Sequence, residues 1–62
     1  MTKAGAIAKA KRYAKKMNDM TVIFNGIYYE VIHTDYLEEY EEDGWKKIAS
    51  YRYNDKCEVE KY

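Results

Sequence analysis

The sequence predicts an α+β fold, an N-terminal amphipathic helix packed on a mostly antiparallel sheet of four or five strands. Three observations carry the expectation. Residues 3–17 put small apolar side chains on one helical arc and cations on the other. Asn25-Gly26 stands between two β-rich runs. The chain after Trp45 returns to an alternating pattern broken by Asn54-Asp55-Lys56. With 62 residues there is room for one domain. It divides into a helix at 3–17, a hairpin at 20–33, an acidic segment at 35–43 and a second hairpin at 45–62.

The helix follows from its periodicity. At about 100° per residue, Ala6, Ile7, Ala10, Tyr13, Ala14 and Met17 share one arc. Lys9, Lys11, Arg12, Lys15 and Lys16 occupy the other. Thr2 is the expected N-cap and Asn18 the expected C-terminal stop. Cations in the last turn complement the helix dipole. The alanines would let the helix lie close to a sheet.

The first hairpin is read from residues 20–24 and 27–32 around Asn25-Gly26. A two-residue turn predicts Phe24 opposite Ile27, Val22 opposite Tyr29 and Met20 opposite Val31. That face is apolar and should receive the helix. Thr21, Ile23, Tyr28, Glu30 and Ile32 form the other face, which is either partly covered or open for binding.

Two readings stand for 35–43. Asp35 with Glu38 resembles a capping box, Leu37 and Tyr40 make a short apolar stripe, and Gly44 is a natural stop, which predicts a short second helix. Asp43-Gly44 is also a hairpin turn, which predicts a third strand sharing Tyr36, Tyr40 and Trp45 on one face. We favour the strand, because sequential strands often pair. In the last hairpin, a three-residue loop sets Arg52 opposite Glu58 and Tyr51 opposite Val59.

Charge is segregated although the net charge is zero. Residues 1–18 hold six bases and no acid, and residues 19–44 hold eight acids and no Lys or Arg. Eight tyrosines against a single leucine predict a shallow core with an aromatic rim, a composition suited to recognition. A core this small supplies only about 3–5 kcal/mol of net stability. One cysteine, Cys57, cannot form an internal disulfide, so self-association into a homo-oligomer is the natural supplement. The lone cysteine, the lack of a secretory signal pattern and the absence of any roughly 20-residue apolar run lead us to expect a cytoplasmic protein that does not engage membranes.

Catalysis is not expected. His33, Cys57 and Ser50 are single occurrences with no orienting group between them. So small a domain leaves little room for a pocket of about 300 Å³. His33, Asp35, Glu38 and Glu39 lack the four-ligand spacing of a structural metal site, so no metal and no cofactor is expected. The glycines are too dispersed for a phosphate loop.

Two surfaces remain. Asp35, Glu38, Glu39, Glu41, Glu42 and Asp43 place six carboxylates within nine residues, flanked by Tyr36, Tyr40 and Trp45. This acidic, aromatic surface is the expected contact for another protein bearing a basic surface. The alternative is nucleic-acid binding through Lys9, Lys11, Arg12, Lys15 and Lys16. The basic and acidic blocks also have a third use, which is to pair with each other, within one molecule or between copies. In size, tyrosine content and charge segregation the chain is similar in kind to small phage-encoded proteins that bind and inhibit host factors. That likeness is of general character and rests on no motif. It implies an inhibitor of a host nucleic-acid-binding or defence protein.

Overall fold

The computed structural model describes residues 1–62, with the side chain of Met17 outside the described set. Helix α1 spans Lys3–Met17 and is followed by strands β1 (Met20–Phe24) and β2 (Tyr29–His33). A 3-10 turn at Thr34–Tyr36 leads into a short helix, α2 (Leu37–Glu42). Strands β3 (Lys46–Tyr53) and β4 (Val59–Lys61) complete the chain. The four strands form one antiparallel sheet in the order β2-β1-β3-β4. The α+β expectation is met with four strands, and the acidic segment is a helix rather than the strand we favoured.

Helix α1 ends where its caps dictate. The Thr2 hydroxyl accepts from the Gly5 N–H at 3.0 Å, and the Asn18 N–H closes on the Ala14 carbonyl with Asn18 at φ 67°. Ala6, Ala10 and Ala14 are fully buried against Met20, Val22, Ala49 and Tyr51. Methyl side chains allow the helix to approach the sheet closely, so this core is thin but continuous. Ile7 is half-buried beside it. Tyr13 departs from expectation, being exposed at the edge of the apolar arc. The predicted place of Met17 on that arc lies outside the described residues.

Both hairpins pair two residues out of the expected register, for one shared reason. Phe24 faces Tyr29 and Val22 faces Val31 across a four-residue loop. The Asn25 carboxamide oxygen accepts from the N–H groups of Ile27 and Tyr28, at 2.8 and 2.7 Å. Asn54 does the same in the β3–β4 loop, accepting from Lys56 and Glu58 at 3.0 Å each. There Arg52 pairs with Glu60 and Tyr53 with Val59. An Asn side chain that caps two backbone donors stabilises a wider loop. Because strand side chains alternate with period two, a two-residue slip leaves every strand residue on its expected face.

The reverse face of the sheet is also covered. Ile23 is fully buried and Ile32 nearly so, yet neither belongs to the cluster under α1. By alternation they point away from α1, towards the half-buried Leu37, Tyr40 and Trp45 of the α2 segment. Helix α2 packs on β3, and the Tyr40 and Trp45 rings meet edge to face at 5.8 Å. A bulge in β3 leaves Ile48 unpaired, so Ile48 and Ala49 both serve the α1 side. The result is three layers: α1, the sheet, and the 34–45 segment.

One polar group ties the reverse layer to the sheet. Thr21, wholly buried on central strand β1, bonds the Ser50 hydroxyl at 2.7 Å and the Thr34 hydroxyl at 2.8 Å. The Thr34 N–H also donates to the Asp19 carbonyl at 3.1 Å. Replacing Thr21 with Val keeps the shape and strands the buried Ser50 hydroxyl. Thr21→Val should destabilise the fold by about 1–3 kcal/mol, read as a lowered urea midpoint with an unchanged denaturant slope.

Candidate functional site

The two charged surfaces are built on opposite layers. Four of the six carboxylates lie on a helix too short to hide any of them, with Asp43 at its C-cap and Asp35 on the preceding turn. Asp35, Glu38, Glu39, Glu41, Glu42 and Asp43 are all exposed. Tyr36 is 55% exposed, whereas Tyr40 and Trp45 are half-buried and hold α2 to the sheet. Seven of the nine predicted contact residues are therefore exposed on this segment, while Tyr40 and Trp45 turn towards the sheet and support it.

The electrostatics of α2 are unfavourable on its own terms. Glu38 and Glu39 suit the positive N-terminal end, but Glu41, Glu42 and Asp43 crowd the negative C-terminal end. Glu38 and Glu42, like Glu39 and Asp43, are like charges four residues apart. Among the described residues the only ion pair is Arg52–Glu60, at 2.6 Å. No carboxylate of 35–43 is paired with a cation, and no cation of α1 with a carboxylate. The two blocks do not satisfy each other within the molecule.

The basic surface contains a feature that sequence reasoning missed. Lys11, Arg12 and Lys15 of α1, with Ala8, face Cys57, Glu58 and Val59 of the β3–β4 hairpin across an open cleft of about 580 Å³. This corrects the expectation that so small a domain leaves little room for such a volume. The cleft joins segments more than forty residues apart, so no local pattern announces it. Lys11 is steadied over the Tyr51 ring at 5.6 Å. Lys9 and Arg12 flank the Tyr13 ring at 5.5 and 5.9 Å, on the side of the helix away from Lys11. Lys16 is exposed.

His33 and Cys57 are not brought together. His33 ends β2, at one edge of the sheet, and Cys57 lies in the loop before β4, at the other. Among the described residues no three His, Cys, Asp or Glu side chains are placed to hold a metal ion. No helix of the described residues is long and apolar enough to cross a membrane.

A second unanticipated feature is the apolar tip of the first hairpin. Ile27 is 76% exposed and Tyr28 61%. Asn25 and Gly26 of the same loop share a smaller cleft with Gly44 and Lys46, at the end of the α2 turn. The tip and the acidic segment are thus neighbours.

The Arg52–Glu60 pair gives the β4 edge a pH dependence. The Arg52 hydrogen bond, then that of Asn54, holds the Glu60 carboxyl below the usual glutamate range. Its stabilising contribution is therefore present above about pH 4.3, the unfolded value, and is lost as the pH falls through the lowered folded value. Wild type should lose more stability than Glu60→Gln between about pH 5 and pH 3, and the two urea midpoints should converge at the acid end.

No protein-family model, curated protein or solved structure matches this chain.

Proposed function

We propose that the protein is a non-enzymatic binding module that captures another protein, one with a basic surface, through the acidic face of α2. The observation that carries this reading is six exposed carboxylates left without a cation, on the layer opposite the cations of α1. Their mutual repulsion is a cost that a cationic partner would relieve. Charge of this kind speeds encounter and selects the partner, while apolar contacts supply most of the affinity. Tyr36, and the neighbouring Ile27 and Tyr28, are the exposed large side chains available for that role. A basic groove that ordinarily holds nucleic acid has the complementary chemistry. An inhibitor of a host nucleic-acid-binding or defence protein, of the phage type, is the biological setting we favour for it.

Replacing Glu38, Glu39, Glu41 and Glu42 with Gln should abolish most capture of such a partner from a lysate of the native host, read by mass spectrometry. All four side chains are exposed, so circular dichroism should show an unchanged fold. Full capture by the folded variant would reject the reading.

The cleft supports a second reading, nucleic-acid binding. Lys11, Arg12 and Lys15 lie together at its wall, with Lys9 and Lys16 on the adjoining helix surface. Three to five phosphate contacts to a single strand would give a log–log salt slope of about −2 to −3.5. A mobility-shift titration with an oligonucleotide should show that slope, reduced when Lys11, Arg12 and Lys15 are changed to Gln. No shift at about 0.01 M salt would remove this reading.

A further inference from the structure

We propose that the protein self-associates head to tail, with the acidic α2 of one copy seated in the basic cleft of the next. The inference rests on the reading of the α2 face as a contact surface, but its occupant is a second copy rather than a foreign protein.

The case is one of complementary surfaces that cannot meet within a single chain. The cleft presents Lys11, Arg12 and Lys15 against one carboxylate, Glu58, with Ala8 and Val59 also in its lining. Its charge favours an anionic occupant. Lys11 and Lys15 are four residues apart on α1, and Glu38 and Glu42 are four residues apart on α2. In both helices that spacing is about 6 Å along the axis, with the side chains on one face. Two helices laid antiparallel would bring Glu38 to Lys15 and Glu42 to Lys11. Arg12, leaving the Tyr13 ring it lies against, would take Glu41 or Glu39 in a two-pronged hydrogen bond.

The layer arrangement fixes the symmetry. Helix α1 lies on one face of the sheet and the α2 segment on the other. A copy using its acidic face on one neighbour therefore turns its cleft towards a different neighbour. The contact is heterologous and does not close a dimer, so it propagates beyond two copies, into a ring where the rotation closes and an open chain where it does not. Exposed ion pairs are individually weak and screened. The association should appear at high protein concentration and low salt, where the screening length is about 30 Å at 0.01 M, and vanish near 1 M, where it is about 3 Å.

Sedimentation equilibrium of the pure protein tests this. At about 0.01 M salt the average mass of wild type should rise with concentration past that of a dimer, and return to the monomer at high salt. A cleft variant (Lys11→Gln, Arg12→Gln, Lys15→Gln) and a helix variant (Glu38→Gln, Glu41→Gln, Glu42→Gln) should each be monomeric alone. Mixed in equal amounts they retain one usable contact, cleft variant's α2 to helix variant's cleft, and should stop at a 1:1 dimer. A control with the same charge loss elsewhere (Lys46→Gln, Lys56→Gln, Lys61→Gln) should keep growing like wild type. A wild type that plateaus at a dimer or stays monomeric, a mixture that forms no dimer, or a control that stops growing would overturn the proposal. Self-association and host-partner capture are read in separate samples. A monomeric wild type that still captures a partner rejects only the self-association, and the converse result rejects only the foreign partner.

Discussion

The structure depends on the burial of one short strand from both sides. Met20, Thr21, Val22 and Ile23 of β1 are all buried, and β1 pairs with a neighbour on each edge. A strand with no exposed face cannot exist in a two-layer fold of one helix and one sheet. Something must lie against Thr21 and Ile23 as α1 lies against Met20 and Val22, and the segment 34–45 does so. The second layer is thus a requirement of the core, and the separation of charge follows from it. The chain is basic before β1 and acidic after β2, so covering the two faces with those two segments sends the charges to opposite sides.

Helix α1 was legible because it carries its own stop signals: Thr2 and Asn18 cap it, and the Ala6-Ala10-Ala14 spacing names its buried face. The strand faces were legible because alternation survives an error of two in register. The loops were not, because Asn25-Gly26 also satisfies a two-residue turn and nothing local shows that the Asn25 side chain will hold two backbone donors instead. The acidic segment was ambiguous for a physical reason: its glutamates favour helix, but like charges four apart oppose it and Asp43-Gly44 fits a hairpin turn, so the decision falls to Leu37, Tyr40 and Trp45 finding the reverse face. The role of Thr21 gave no signal at all. A threonine in a strand reads as a surface residue until its hydroxyl partners, Ser50 and Thr34, are known from the pairing.

The candidate contact surface and the stability of the fold are linked through α2. Six residues with four glutamates make a poor helix in isolation. It persists because its apolar side chains roof the reverse core. The same segment therefore presents its charges outward and closes the sheet inward, and the two roles use different side chains. Charge on the outer face can vary with little effect on the core, whereas changes at Leu37, Tyr40 or Trp45 would disturb both.

The opposed layers also mean that net charge describes this molecule poorly. A sum of zero conceals a basic α1 layer and an acidic 35–43 segment on opposite sides of a body whose principal extents are 34, 22 and 16 Å. At neutral pH and low ionic strength such a body has one face for a cation-exchange resin and another for an anion-exchange resin, and it can be retained by both. It would also tend to turn one chosen side towards any charged boundary it meets. For a chain this small, orientation in a field is a property as definite as its fold.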